Sequence, residues 1–336
     1  MPKLNKTLQI HSTPHLSSGA SVDSIMRNVV YALLPVAGFS IYAFGLAALL
    51  TLAGAVLSCM LTEHWLCRWS GRATTVRDWS VVITGIIYGL TLPPGLPLWM
   101  TVAGGVLAVS VGKFIFGGLG YNPFNPALVG RAFLQAAFPT AMTSWLAPFN
   151  AARFTSLPAS TLAVPLATPT YDTVSSATPL AAMKFSHQPT NAMDLLLGTT
   201  SGSLGETCSV LILLGGLYLI ARNMMNWRIP AGIFIAVILL SSLLHFAHPE
   251  RYPGAMFMVF SGGLMFGAMF MATDLVASPI TNIGCFIYGV FIGVLVVIIR
   301  LWGGMPEGVM YAILFANALS PHIDRYIQPV PFGNRS

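Results

Sequence analysis

The sequence predicts an all-α polytopic membrane protein with about ten transmembrane helices. Only 8% of its 336 residues are charged, whereas soluble globular chains carry about 25%. A further 55% are hydrophobic and the mean hydropathy is +0.74, so the chain has more apolar surface than one soluble core could bury. The sixteen Lys and Arg residues are scattered singly between apolar runs, which argues against a nucleic-acid-binding surface and leaves the lipid bilayer as the main partner.

Apolar runs long enough to cross a hydrocarbon core of roughly 30 Å fall into two groups of five. The first half of the chain holds the runs near 28–44, 46–67, 79–92, 96–116 and 126–146, and the second holds those near 206–221, 229–246, 254–272, 280–299 and 305–320. This predicts an N-terminal segment (1–27), a first membrane half (28–146), a long loop rich in Ser, Thr and Pro (147–205), a second membrane half (206–320) and a C-terminal tail (321–336).

The distribution of positive charge predicts the orientation, because Lys and Arg near helix ends are retained on the cytoplasmic side. With the N-terminus inside, twelve Lys and Arg residues fall on the cytoplasmic flanks and only four fall outside, namely Arg153, Lys184, Arg251 and Arg300. Both termini are therefore predicted to be cytoplasmic and the 147–205 loop to be periplasmic.

Five spans on each side of the loop mean that two similar halves would be inverted relative to each other in the membrane. Gly85 and Gly89 in the third run correspond to Gly263 and Gly267 in the eighth, although chance matches between glycines are a serious rival explanation. If the halves are real repeats, Pro93-Pro94 and similar breaks mark interrupted helices around a central site.

The loop contains a string that reads D-x-x-S-x-A-T, formed by Asp172, Ser175, Ala177 and Thr178, with Ser176 between them. A loop of this composition often contains such strings as solvated turns with local side-chain hydrogen bonds, and that interpretation is favoured when the string is taken alone. The same order of residues is the acceptor sequence of flavin transferases, which join FMN to a threonine hydroxyl through a phosphoester. The predicted periplasmic, non-helical position would leave it accessible to such an enzyme.

Further motifs along nearly the whole chain resemble the D subunit of the Rnf complex and, more distantly, the B subunit of the sodium-pumping NADH:quinone oxidoreductase. They are Thr13-Pro14-His15 with Ile25-Met26, Tyr121 to Ala127 with Gly130-Arg131, Gly205-Glu206-Thr207, Ala272-Thr273-Asp274, Ser278-Pro279 with Thr281, and Pro306-Glu307-Gly308 with Tyr311. The chain length and the short N-terminal segment are closer to the Rnf protein.

This resemblance implies that Thr178 carries covalent FMN, with Asp172, Ser175, Ser176 and Ala177 as the surrounding recognition positions. Ser176 departs from the pattern, because many relatives have glycine there. The resemblance also implies a membrane electron-transfer subunit of a bacterial inner-membrane complex that couples ferredoxin and NAD redox chemistry to Na⁺ or H⁺ transport. The implied partners are the A, B, C, E and G subunits of that complex and a flavin transferase. Whether a second, non-covalent cofactor, riboflavin, binds between the halves is left open by the resemblance.

Few ionisable side chains fall inside the apolar runs, where an unpaired charge costs about 2.5 kcal/mol or more. For Glu206 and Glu307 the simpler interpretation is an acid placed favourably at a helix N-terminus. For Arg131 it is pairing with an acid or with helix carbonyl groups, and a role in a flavin pocket or an ion path is the alternative. Glu63 and Asp274 are also candidates of this kind, without an assigned role.

No side-chain catalyst and no protein-only metal site are predicted, since there is no nucleophile triad, zinc-protease motif or phosphate loop. Two rival functions remain: a channel or transporter for a small solute built from inverted repeats, and a structural scaffold for other subunits. Asn125-Pro126-Ala127 is the N-P-A triplet that water channels use twice, but the second half offers only Asn317-Ala318-Leu319.

Overall fold

The computed structural model describes residues 21–72, 74–165, 177–186, 188 and 190–329. Within these ranges the regular elements are helices, and no β-strand occurs among them, which confirms the predicted all-α class. The first half contains α1 (Val22–Phe44), α2 (Leu46–Trp69), α3 (Ser80–Leu90), α4 (Leu98–Val109, continued by a π-turn over Ser110–Phe114), α5 (Pro126–Ala137) and α6 (Pro139–Met142). Then come α7 (Pro179–Ser186), α8 (Ala192–Leu197), α9 (Ser209–Ala221), α10 (Arg228–Ala247), α11 (Ala255–Phe260), α12 (Leu264–Phe266, continued by a π-turn over Gly267–Met271), α13 (Asn282–Trp302) and α14 (Val309–Tyr326).

Four helices of the described residues are long and apolar enough to cross a bilayer: α1, α2, α10 and α13. Their outer faces carry large exposed apolar side chains such as Leu57, Leu239 and Leu243, which suit contact with lipid tails. Together these features support a polytopic membrane protein. The shorter apolar helices α3, α4 and α9 pack among the long ones.

Local sequence explains where several helices begin and end. Ser21 caps α1 by accepting the Ser24 N–H at 3.2 Å, so this helix begins ahead of the predicted start at residue 28. Asn125 caps α5 in the same way and Pro126 occupies its first turn. After α3, Pro93 and Pro94 prevent the helix from continuing.

Two predicted spans are not continuous helices, which corrects the sequence analysis. The 126–146 run divides at Phe138-Pro139 into α5 and the single turn of α6. The 254–272 run divides into α11 and α12, because Gly262 adopts a positive φ of +62° that a side chain would strain. Periodic apolar sequence did not distinguish these interrupted segments from full spans.

The two halves of the chain meet around the interruption in the 254–272 segment. The 3₁₀ turn Leu204–Glu206 packs against α1, α3 and α12, and the Leu204 N–H donates to the Leu92 carbonyl at 3.1 Å. On the opposite side, the Asn125 side chain donates to the Met271 carbonyl at 3.2 Å. The buried core therefore runs continuously from one half to the other.

The predicted 147–205 loop is folded over much of its described length. Residues 147–165 lie on the first half, where the Phe149 N–H donates to the Ala43 carbonyl at 2.8 Å and Ser160 donates to the Gly95 carbonyl at 2.7 Å. Residues 177–186 lie on the second half, as the next section describes. The described parts of this segment therefore contact both halves.

Candidate functional site

The predicted attachment residue, Thr178, lies at the start of α7. Its side-chain oxygen accepts the Ala181 N–H at 3.2 Å and its carbonyl accepts the Ala182 N–H at 2.8 Å, so it acts as the N-cap of the helix. Thr178 is only 9% exposed, whereas the preceding Ala177 is exposed. The expected non-helical position holds at Thr178, which precedes α7, but the expected accessibility is corrected, because the sequence after Thr178 folds into a packed helix. Asp172, Ser175 and Ser176 lie outside the described residues.

Thr178 and Ala177 line a cavity of about 590 Å³ between α5, α7 and α14. Its wall contains the aromatic rings of Trp145, Phe185 and Tyr311, and the charged side chains described below. Cavities of this size that combine aromatic walls with a few polar groups are typical of cofactor sites.

An ion pair between the two halves forms part of this wall. Arg131 of α5 lies with its Nη2 3.4 Å from Oε2 of Glu307, which precedes α14. Pairing with an acid was the simpler of the two interpretations of Arg131, and the structure confirms that contact. The pair is not sealed from solvent, since the two side chains are 11% and 20% exposed.

A second carboxylate lies close to this pair. Glu206 lines the same cavity and forms a capping box with Ser203, whose N–H donates to Glu206 Oε2 at 3.3 Å. Glu307 Oε1 accepts the N–H of Gly263 at the start of α12. A Cβ atom at Gly263 would come within 2.9 Å of Glu307 Oε1 and 3.3 Å of Glu206 Oε1, so both carboxylates crowd this glycine. Each acid contacts a helical N-terminus, Glu206 that of its own 3₁₀ turn and Glu307 that of α12 rather than of α14, which it precedes. The structure also brings the two acids together.

Lys184 fastens the far end of α7 to the second half. Its Nζ donates to three carbonyl groups at the end of α13 and just beyond it, those of Arg300, Gly303 and Met305. Burial lowers the pKa of Lys184 below its ordinary value, because these neutral carbonyls replace water without supplying a negative charge. Arg300 in turn donates to the Met258 and Ser261 carbonyls at the end of α11, so a continuous set of contacts links Thr178's helix to the interrupted helix.

A different ion pair is buried in the first half, away from this cavity. Lys113, on the π-turn after α4, contacts both carboxylate oxygens of Glu63 at 2.9 and 2.8 Å and donates to the Ser80 hydroxyl at 2.8 Å. Thr75 donates a further hydrogen bond to Glu63. The pair is almost completely enclosed, with side chains 4% and 3% exposed.

A smaller cavity of about 130 Å³ lies beside this pair and is lined by residues of both halves. Its polar groups come from Ser80, Thr84 and Lys113 as well as from Asn122, Asn125, Thr273 and Asp274. Asn125 belongs to the N-P-A triplet, and its side chain is occupied by capping α5 and by binding the Met271 carbonyl. Asn317 of the second half instead accepts a hydrogen bond from the hydroxyl of a buried tyrosine on α13. The two asparagines therefore do not form a matched pair, which weighs against the water-channel interpretation.

Sequence reasoning did not assign roles to Lys113, Lys184 or Arg300, nor to the aromatic residues Trp145 and Tyr311. Lys113 and Arg300 are buried, and both lie within or next to apolar runs of the sequence. A cation in such a position is the signal that could have identified these two residues. The partners of Lys184 are more than a hundred residues away in sequence, so no local pattern points to its role.

Comparison with known proteins supports the resemblance seen in the motifs. Residues 9–333 match the model of the NQR2, RnfD, RnfE family. The chain is 40% identical over 337 residues to the D subunit of the Na(+)-translocating ferredoxin:NAD(+) oxidoreductase complex of Acetobacterium woodii, a match that covers 99% of this chain and 97% of that protein. It is 38% identical over 336 residues to the D subunit of the proton-translocating ferredoxin:NAD(+) oxidoreductase complex of Clostridium ljungdahlii, covering 97% and 96%. It is 37% identical over 335 residues to the D subunit of the ion-translocating oxidoreductase complex of Alcanivorax borkumensis, again covering 97% and 96%.

A match over nearly the whole sequence, together with relatives of this identity that are covered almost end to end, confirms the predicted family. The chain belongs to the NQR2, RnfD, RnfE family.

Proposed function

We propose that this chain is the D-type membrane subunit of an ion-translocating ferredoxin:NAD⁺ oxidoreductase complex and relays electrons through FMN bound to Thr178 by a phosphoester. The relatives that are 38% and 40% identical carry ferredoxin:NAD(+) oxidoreductase in their names, and the one that is 37% identical is named as the D subunit of an ion-translocating oxidoreductase complex. The observation that carries the flavin assignment is the position of Thr178 on the wall of a 590 Å³ cavity that also holds the Arg131–Glu307 pair.

The residues of this cavity fit a flavin. Its volume lies within the roughly 300–1,000 Å³ of typical ligand pockets. Trp145 and Tyr311 provide aromatic surface for a planar ring. A phosphate on Thr178 would sit at the N-terminus of α7, where backbone N–H groups and the helix dipole favour an anion.

FMN supplies the electron-carrying chemistry, and the protein contributes position and electrostatics. The Arg131 guanidinium favours negative charge in the cavity, whereas Glu307 and Glu206 oppose it. Lys184 holds the helix that begins at the attachment point. These side chains set the environment of the ring without taking part in covalent chemistry.

The burial of Thr178 bears on how the flavin is attached. A transferase needs access to the hydroxyl of Thr178, a residue that is only 9% exposed when α7 is packed. Attachment therefore takes place while α7 is detached from the second half, and packing of α7 afterwards carries the flavin toward the cavity.

The remaining predictions belong to the same proposal. The chain crosses the bacterial inner membrane about ten times as two inverted halves, with both termini cytoplasmic and the flavin segment periplasmic, and it assembles with the A, B, C, E and G subunits. The excess of Lys and Arg residues on the predicted cytoplasmic flanks, twelve against four outside, supports this orientation. A topology reporter fused at about residue 185 is expected to score as periplasmic, and cytoplasmic activity there would overturn the span count.

Peptide mass spectrometry tests the attachment directly. Trypsin cleaves after Arg153 and Lys184 and leaves no internal site, so one peptide of residues 154–184 contains the whole motif. Protein made in a host with a flavin transferase is expected to carry one FMN phosphoester on Thr178. Thr178→Val should abolish the adduct, because it removes the hydroxyl and keeps the side-chain shape.

Thr173→Val is the matched control, since it makes the same change five positions earlier in the same peptide and should leave the adduct in place. An adduct that persists in Thr178→Val would refute the assignment. An unmodified peptide in both the expression host and the native membrane would favour the transporter interpretation instead.

Non-covalent riboflavin is a second cofactor proposal, and the smaller cavity is the candidate site because its amide and carboxyl groups come from both halves. The chemistry of Asn122 and Asp274 suits the polar edge of a flavin, but a volume of about 130 Å³ is too small for the ring without widening of the cavity. Acid extraction of the Thr178→Val protein separates the two cofactors, since only riboflavin would remain to be released.

A further inference from the structure

A second cavity on the predicted periplasmic side adjoins the proposed flavin cavity and shares Leu180, Phe185 and Pro306 with it. It encloses about 300 Å³ between α7, the turn before α11, and the end of α13. Lys184, Arg251 and Arg300 line it, and no Asp or Glu is among its lining residues. Glu307 and Glu206 lie near Arg300 outside this lining, so Lys184 and Arg251 supply the positive charge that no acid of the lining offsets. Such a cavity is suited to a negatively charged ligand.

The positions of these cations make the cluster unusual for a membrane protein. Only four Lys and Arg residues are predicted to lie outside, and three of them line this one cavity. Cations are depleted on the outer side, because positive charge hinders translocation across the membrane. Three placed together there favour an interaction with a ligand over a random distribution.

Hydrogen-bond donors in the cluster remain available. Arg300 is 3% exposed and uses its two Nη atoms on the Met258 and Ser261 carbonyls, but its Nε has no partner among the described residues. The exposed Arg251 lies over the Tyr252 ring at 5.6 Å, and its guanidinium makes no hydrogen bond to another described residue. A phosphate group is the anion whose geometry best matches arginine donors.

The rest of the lining is apolar and matches a lipid. Leu180, Phe257 and Leu301 line the cavity, while Phe185 and Trp302 are 67% and 55% exposed at its edge. Trp and Tyr side chains in such positions favour the boundary between headgroups and acyl chains. We propose that this cavity binds the phosphate headgroup of an anionic phospholipid of the outer leaflet, such as phosphatidylglycerol, with its acyl chains against the apolar wall.

Photo-crosslinking of the assembled complex tests this site. The complex is reconstituted in nanodiscs of phosphatidylethanolamine that contain a small fraction of diazirine-labelled phosphatidylglycerol, irradiated and digested. We expect labelled peptides that contain Phe257 or Trp302. Unlabelled phosphatidylglycerol should reduce the labelling, whereas added phosphatidylethanolamine or inorganic phosphate should not.

Arg251→Gln is the informative variant, because this exposed side chain can be replaced without disturbing the buried contacts of Arg300. Loss of one cation near the membrane surface should weaken specific labelling about fivefold. Arg153→Gln is the matched control, since it removes a predicted outer cation from the first half, away from the cavity, and it should leave labelling unchanged.

Four results would overturn the proposal. One is the absence of labelling at these peptides in the unmodified complex, and another is equal labelling of Arg251→Gln and the unmodified protein. The third is competition by inorganic phosphate alone, which would assign the cavity to a free anion. Equal competition by phosphatidylethanolamine would likewise exclude recognition of the anionic headgroup.

Discussion

The Glu63–Lys113 pair and the Arg131–Glu307 pair join the same kinds of charged groups in very different surroundings. Glu63 and Lys113 lie 2.8 Å apart, are almost fully enclosed and have further hydroxyl partners. Arg131 and Glu307 lie 3.4 Å apart, are partly exposed and form the wall of a 590 Å³ cavity. The first pair has its hydrogen bonds supplied by the protein and borders the cavity of about 130 Å³ through Lys113, whereas the second pair forms part of the wall of the larger cavity. Burial of charge alone therefore does not identify a functional site in this chain.

The enclosed pair should give the largest loss of stability when it is broken. Lys113→Met leaves the Glu63 carboxylate buried without a counter-charge, which costs about 3–5 kcal/mol when one partner of a buried pair is removed. We expect a sharp fall in the amount of folded protein extracted in mild detergent and in its thermal unfolding midpoint.

The double variant Lys113→Met with Glu63→Leu is the control for this interpretation. Removing both charges should recover much of the lost stability, because no unpaired charge remains. If the double variant is as unstable as the single one, packing of Lys113 rather than charge compensation accounts for the loss.

Substitutions in the partly exposed Arg131–Glu307 pair should instead change the midpoint potential of the proposed flavin. Arg131→Gln removes a positive charge that stabilises the reduced, more negative cofactor, so the midpoint potential should fall. Glu307→Gln leaves Arg131 without its counter-charge, so the potential should rise. A change of about 1.4 kcal/mol in the free energy of reducing the flavin corresponds to a shift on the order of 30 mV in the midpoint potential of a two-electron couple.

Spectroscopic redox titration of the purified complex measures both shifts. Arg153→Gln serves as the remote control, because its guanidinium contacts the Tyr42 carbonyl on the first half rather than this cavity. Shifts of the same sign in the two pair variants would contradict a ring placed beside the Arg131 guanidinium.

The membrane class and the positions of the apolar helices were predictable from sequence, because length and hydropathy are local properties. The interruption at Gly262 was not, since a positive φ at one glycine leaves the apolar pattern unchanged. The family was also readable from short strings of residues, and the proposed attachment motif is a string of the same kind. The burial of Thr178 was not, because it depends on the packing of α7 against the second half.

The candidate site shows the same division between local and long-range information. Arg131 could be identified as a charge inside an apolar run, but its partner Glu307 lies 176 residues further along the chain. The crowding of Glu206 and Glu307 at Gly263 likewise joins three distant segments. Sequence indicated which residues carry chemistry, and only the fold determined which of them meet.

Substitution of Lys184 should have a smaller effect than the substitutions of Lys113 and of the Arg131–Glu307 pair. It tests whether the flavin depends on the contacts that hold α7 in place. Lys184→Met removes one charged donor from three carbonyls and weakens the packing of α7 by ~1 kcal/mol, since the side chain is only half-buried. Covalent FMN should still be present on Thr178, but its fluorescence anisotropy should fall because the helix that bears it opens more often.

Lys184→Arg should restore the anisotropy, because a guanidinium can also donate to several carbonyls. Arg153→Met is the matched control, since it removes the side-chain hydrogen bond from the 147–165 segment to the Tyr42 carbonyl of the first half and leaves α7 untouched. Unchanged anisotropy in Lys184→Met, or a fall of equal size in Arg153→Met, would show that these contacts do not position the flavin.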